Sequence, residues 1–126
     1  MARPRRLVLV VDDDDMIRRL VRTVLETDDL EVIEASSGQE ALELAASGEP
    51  TVVVLDVMMP GLDGVETCRR LDHEKAKVVM LTAKDDPDLE GEARRAGADA
   101  FCTKPFSPIE LLELVERLMS PVPGES

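Results

Sequence analysis

The stretch Thr51-Val52-Val53-Val54-Leu55-Asp56-Val57-Met58-Met59, followed by Pro60-Gly61-Leu62-Asp63-Gly64-Val65-Glu66, decides the fold. Val52 to Leu55 is an unbroken apolar run rich in β-branched residues, the pattern of a strand covered on both faces in a parallel sheet. Asp63 with Glu66 three positions on is a helix start, pairing a capping acceptor with an acid in the first turn. Strand, loop and helix repeat outward from there. Apolar clusters stand at Leu7–Val11, Glu31–Ala35, Lys77–Thr82 and Asp99–Thr103, with a helically periodic segment between each successive pair. Such alternation predicts an α/β parallel sheet with five strands and five helices.

Burial orders the strands. Leu7–Val11, Val52–Leu55 and Val78–Leu81 are purely apolar and read as central, whereas Glu31–Ala35 and Asp99–Thr103 are half polar and read as edges. The order 2-1-3-4-5 follows, a flavodoxin-like doubly wound sheet. In it the chain reverses between strands one and three, and ligands bind outside their carboxyl ends.

Helix signals fill in the rest. In the first helix Met16, Ile17, Leu20, Val21, Val24 and Leu25 form the apolar stripe, leaving Arg18, Arg19, Arg22 and Glu26 to solvent. Ser37 with Glu40 and Ser107 with Glu110 repeat the capping pattern, Asp86-Pro87 marks a further start, and Gly48 and Gly97 suit the left-handed position that closes a helix. Pro121 and Pro123 forbid helix beyond Met119, so residues 1–119 read as one domain and 120–126 as a tail or the start of a linker.

Composition removes several functions. The formal charge of -12 repels a phosphate backbone, which argues against direct nucleic-acid binding. Aromatics are 2%, Phe101 and Phe106 alone, too few for a base-stacking platform. No apolar run approaches the roughly 18 residues of a membrane span, and Cys68 and Cys102 read as small buried hydrophobes rather than a disulfide framework, so a cytoplasmic protein is expected. Arg3, Arg5 and Arg6 read as a mobile terminus and His73, in a charged run, as a solvent-facing residue at a helix end.

The carboxyl ends of the strands carry the chemistry. Strand one ends in Asp12-Asp13, strand three in Asp56, strand four in Thr82, and Lys104-Pro105 follows strand five. Three carboxylates in one crevice need a cation, and an all-oxygen set suits Mg2+ or Mn2+ better than zinc. Lys104 and Thr82 can surround the equatorial oxygens of a phosphoryl group, which leaves Asp56 where a nucleophile belongs. Asp14 and Asp15 need no more than a helix N-terminus to explain them.

Val11-Asp12-Asp13, Leu55-Asp56-Val57-Met58-Met59-Pro60-Gly61, Leu81-Thr82-Ala83-Lys84 and Thr103-Lys104-Pro105-Phe106, in this order and on these strand ends, resemble the receiver domain of two-component response regulators, from about Leu7 to Met119. The resemblance implies that Asp56 accepts a phosphoryl group from the phosphohistidine of a histidine kinase or phosphotransfer protein. It implies Mg2+ on Asp12, Asp13, Asp56 and the Met58 backbone carbonyl, phosphate contacts from Lys104, Thr82 and Ala83, and a cis Lys104-Pro105 peptide. It further implies a switch in which Thr82 moves toward the phosphate, Phe101 turns inward, and the signal leaves through helix four, strand five and helix five to an effector protein or output domain. The resemblance carries a phosphoacceptor rather than an enzyme with an external substrate, as a monomer or a weak phosphorylation-dependent dimer. Helix four, with only Leu89, Ala93 and Ala96 as an apolar stripe and Gly91 near its middle, is expected to be lightly held. Helix five departs from the family's commonest pattern: it is short of basic residues and apolar beyond one face, with Ile109 and Leu114 as candidate docking residues.

Two other readings compete. A haloacid-dehalogenase-like Mg2+-dependent phosphohydrolase shares the Asp, Thr and Lys logic but wants an acid two residues after the nucleophile, where Met58 stands. A phosphorylation-independent pseudo-receiver is the other, although every residue the chemistry requires is present.

Overall fold

A computed structural model describes residues 6–27, 29–59, 63–83 and 87–119. Five strands, β1 (Arg6–Val11), β2 (Leu30–Ala35), β3 (Val52–Asp56), β4 (Lys77–Ala83) and β5 (Ala100–Lys104), alternate with five helices, α1 (Asp15–Leu25), α2 (Gly38–Gly48), α3 (Gly64–Arg70), α4 (Pro87–Arg95) and α5 (Pro108–Met119). All pairings are parallel and the order is β2-β1-β3-β4-β5, as the burial pattern predicts. Strand boundaries move by at most one residue at either end.

The alternation of side chains along each strand divides the core in two. Leu9, Val11, Val53, Leu55, Val78 and Met80 face α2, α3 and α4, while Val8, Val10, Val52, Val54, Val79 and Leu81 face α1 and α5. Every residue of β3 is buried, which is what an apolar run in the centre of a doubly wound sheet requires.

Several local expectations need correction. In α1 only Val21 and Leu25 are fully buried, with Ile17 and Val24 half-buried, whereas Met16 and Leu20 lie outside the stripe at 78% and 45% exposure. The buried face is narrower than the apolar set because Arg18 is drawn inward beside it, its guanidinium bonded to the Asp12 carbonyl at 2.7 Å. Gly48 is the last residue of α2 and does not take the left-handed conformation; Glu49 does, at φ 49°. Gly48 serves close approach instead, since a Cβ there would stand 3.3 Å from Leu7 Cδ2 and 3.6 Å from Ile33 Cδ1. Ser37 caps α2 as expected, its hydroxyl accepting the Glu40 amide at 3.2 Å, but the Glu40 carboxylate accepts the Ser36 amide at 2.7 Å and so does not close a reciprocal box with Ser37. Arg6 is not a loose terminus but the first residue of β1, its amide on the Asp29 carbonyl and its guanidinium on the Met119 carbonyl. Cys68 is buried as expected, while Cys102 is half-buried. Residues 120–126, with Pro121 and Pro123, together with Asp86, Lys84, Arg3 and Arg5, lie outside the described residues.

Candidate functional site

Adjacent parallel strands that end in acids at the same edge bring those acids together. Asp12 follows the last residue of β1, Asp56 is the last residue of β3, and both are buried, at 1% and 3% exposure. Asp13 stands exposed on the rim. One carboxylate oxygen of each lies within 4.8 Å of the others. From the end of β5, Lys104 Nζ reaches to 3.1 Å of Asp56 Oδ1 and 3.8 Å of Asp12 Oδ2.

Among the described residues, one ammonium stands against three carboxylates, which leaves this cluster negative. Burial is the largest cause pushing the Asp12 carboxyl up, to about 6; Asp56 and Asp13 push the same way, and the Asp14 amide and Lys104 oppose them. Asp12 Oδ1 accepts the Asp14 amide at 2.9 Å, but Oδ2 is buried without a hydrogen bond. An orphaned carboxylate oxygen inside a cluster of acids is costly as it stands, and a hard divalent cation relieves both the missing partner and the repulsion. The donor set therefore fits such an ion. It offers no nitrogen or sulfur for zinc.

The surrounding backbone is built to hold this geometry. Asp56 Oδ1 accepts the Met58 amide at 3.1 Å, which turns the chain sharply after β3. Gly64 lets α3 begin hard against that turn: a Cβ there would stand 2.3 Å from the Asp56 carbonyl oxygen and 2.6 Å from Val57 Cα. Asp63 caps α3 by accepting the Glu66 amide at 2.8 Å, while the Glu66 carboxylate pairs with Arg69 and Arg70 rather than closing a box. On the other side Asp14 caps α1, accepting the Met16 amide at 2.9 Å, and Asp15 pairs with Arg18.

The remaining expected residues divide. Thr82 is buried at the end of β4, one residue beyond the Asp56–Leu81 pair in register, and Ala83 lies opposite Lys104. The Lys104-Pro105 peptide is cis. Met58 is 66% exposed beside the pocket. Phe101 stands farther along β5, half-buried, with the Arg94 guanidinium 4.7 Å over its ring.

Reading the sequence missed two residues. Arg18, assigned to the solvent face, is only 13% exposed and joins the Asp12 carbonyl to Glu34 at 3.1 Å. The available signal was Glu34, an acid inside the half-polar second strand that wants a partner across the helix. His73, assigned to solvent, has Nε2 2.6 Å from the Cys68 carbonyl and Nδ1 buried without a partner.

A family model described as the response regulator receiver domain matches residues 8–116. The chain belongs to that family. Receiver domains are phosphoacceptor switches of two-component systems, which work with histidine kinases and downstream effectors. The Staphylococcus aureus transcriptional regulatory protein SrrA is 42% identical over 113 residues, covering 89% of this chain and 47% of that protein. The chain thus spans about half the length of the curated relatives it matches. Among solved structures, the Vibrio cholerae chemotaxis protein CheY4 is 32% identical at a TM-score of 0.84, covering 91% of this chain and 99% of that one. The Francisella response regulator 1452 receiver domain is 36% identical at a TM-score of 0.81, covering 90% and 95%. Among the described residues, no helix is long and apolar enough to cross a membrane.

Proposed function

We propose that this receiver accepts a phosphoryl group on Asp56 from the phosphohistidine of a histidine kinase or phosphotransfer protein, in the cytoplasm, and uses it to change the surface of α4, β5 and α5. The observation that carries the reading is the buried Asp56 carboxylate with Lys104 Nζ at 3.1 Å, in a pocket shared with Asp12 and Asp13. An Asp56 oxygen attacks phosphorus, the O–P bond forms as the P–N bond of phosphohistidine breaks, and the departing imidazole takes up a proton. Asp12, Asp13, Asp56 and the Met58 backbone carbonyl would hold Mg2+, or Mn2+, which supplies neutralising charge to the phosphoryl oxygens. Lys104 contributes a further point charge, Thr82 a hydroxyl donor and the Ala83 amide a third contact.

The same groups supply the switch. Thr82 moves toward the new phosphoryl oxygens, the space it leaves admits Phe101, and the altered face is read by an effector protein or an output domain, without direct nucleic-acid contact by this domain. Support comes from α4, which fully buries Ala93 alone, and from Phe101, which is half-buried and able to turn. The protein acts as a phosphoacceptor that loses its phosphate to water rather than as an enzyme with an external substrate, as a monomer or weak phosphorylation-dependent dimer. Among the described residues nothing in the pocket favours the phosphohydrolase alternative, since Met58 offers no general acid.

The test is intact mass after incubation with a small acyl phosphate, with and without Mg2+, because the chain has no Trp or Tyr to report by fluorescence. A single phosphoryl adduct that requires both Mg2+ and Asp56, and is absent from Asp56→Asn, is expected. An adduct of equal yield on Asp56→Asn would overturn the assignment.

A further inference from the structure

The Phe101 ring on β5 carries a cation. The central carbon of the Arg94 guanidinium stands 4.7 Å from the ring centroid, the separation of a cation–π contact. Two bonds keep Arg94 there. Its Nη2 donates to Glu90 Oε1 at 3.1 Å, one turn back along the helix, and its carbonyl accepts the Gly97 amide at 3.1 Å where α4 ends. The side chain is 63% exposed, so it covers the ring while its charge stays hydrated.

Strand register shows what lies on the inner side of the ring. Met80 pairs with Phe101, and Thr82 pairs with Thr103. Side chains two positions apart share a face, so Thr82 stands on the same side of the sheet as Phe101, diagonally beyond Met80. Met80 and Thr82 are buried, whereas Phe101 is half-buried. The ring thus stands between a buried hydroxyl and a solvent-facing cation. Turning toward the first takes it away from the second.

We propose that Arg94 is a positioning residue that holds Phe101 in its outer, half-buried rotamer and so sets how readily the ring turns toward Thr82. The consequence of that turn rests on the phosphorylation reading above, but the contact itself belongs to the unphosphorylated protein. A ring that turns inward leaves the guanidinium with water in its place, and loss of one exposed cation–π contact shifts a rotamer ratio about two- to fivefold. Phosphoryl uptake that draws on the inward rotamer is slowed by the same factor, because only the competent fraction reacts.

The composition makes the ring easy to follow, since the chain has two phenylalanines and no Tyr or Trp. In the full chain labelled with 13C,15N-phenylalanine, three-bond couplings from the ring Cγ to the backbone nitrogen and carbonyl carbon give the χ1 populations of Phe101, with Phe106 as internal control. Arg94→Gln carries no cation but can still bond Glu90. In it the minor χ1 rotamer of unphosphorylated Phe101 is expected to rise about two- to fivefold, with Phe106 unchanged. Uptake from a small acyl phosphate with Mg2+ should quicken by a similar factor. Arg94→Lys, which returns a cation, falls between Gln and wild type. In Phe101→Leu, which has no ring to hold, adding Arg94→Gln leaves the uptake rate as it was.

Phe101 populations unmoved in Arg94→Gln, a Lys variant no different from Gln, or an equal change of uptake in the Phe101→Leu background would each overturn the assignment to Arg94. Absence of any adduct on the wild type would overturn the phosphorylation reading instead, and the rotamer populations would still decide whether Arg94 holds the ring.

Discussion

Helices α1 and α4 lie on opposite faces of one sheet and both border the acidic pocket's edge, yet they are held by different means. α1 buries Val21 and Leu25 completely, packs Ile17 and Val24 beside them, and is tied through Arg18 and Arg22 to Glu34 on β2. α4 fully buries Ala93 alone. The helix that follows Asp12 and Asp13 is stiffly mounted, so the acids keep their geometry. The helix that follows Thr82 buries far less, which is what the switch proposed above requires of it.

The contrast predicts its own largest effect in the core. Leu25→Ala should destabilise by about 2–5 kcal/mol, the usual range for a fully buried leucine, whereas Leu89→Ala, at a half-buried position on α4, should lose only about 1 kcal/mol. Urea denaturation followed by circular dichroism measures both. Equal losses would mean that α4 is mounted as firmly as α1, and the comparison would fail.

Next in size is the pH dependence of the pocket. Asp12 has its folded-state pKa raised from 3.8 to about 6, so the folded chain holds that proton more tightly than the unfolded one. The stabilising contribution of the protonated form is fully present below about pH 4 and is lost as pH rises through 6. Two units correspond to roughly 2–3 kcal/mol, so metal-free protein should gain about that much from this group between pH 7 and pH 4. Asp12→Asn should remove this part of the slope. Millimolar Mg2+ at pH 7 should restore stability to the wild type by binding only the folded state. A metal-free wild type and Asp12→Asn with identical pH profiles would show that the buried carboxyl titrates normally.

How much of this was legible in the sequence follows from how local each signal is. Strand order came from whether an apolar run is interrupted, and Val52 to Leu55 against Glu31 to Ala35 decides that without any tertiary knowledge. Asp12, Asp56 and Lys104 were found because carboxyl-end positions of parallel strands converge by topology. Arg18 and His73 were misplaced because their burial depends on partners distant in sequence or on backbone atoms that no residue type announces: Glu34 and the Asp12 carbonyl for one, the Cys68 carbonyl and the bare Cα of Gly97 for the other. Met16 and Leu20 were misplaced for the complementary reason, since periodicity counts apolar residues without measuring how wide a face the sheet can cover.

The smallest predicted effect separates two arginines that share one acid. Arg18 and Arg22 both bond Glu34, at 3.1 and 2.9 Å, but Arg18 is 13% exposed and also holds the Asp12 carbonyl, whereas Arg22 is 46% exposed and, among the described residues, otherwise pairs with Glu26 at 3.6 Å. Arg22→Met removes a solvent-screened pair and should change stability by less than about 0.5 kcal/mol. Arg18→Met keeps the aliphatic stem but strips a hydrogen bond from the backbone of Asp12, for a loss of about 1 kcal/mol. Because that carbonyl belongs to an acid of the pocket, Arg18→Met should also weaken Mg2+ binding by about three- to tenfold in isothermal titration calorimetry, the size expected of one lost hydrogen bond. Arg22→Met should leave it unchanged. Equal Mg2+ affinities in the two variants would show that α1's stiffness comes from Val21 and Leu25 alone and that its arginines do no more than decorate the outside of the mount.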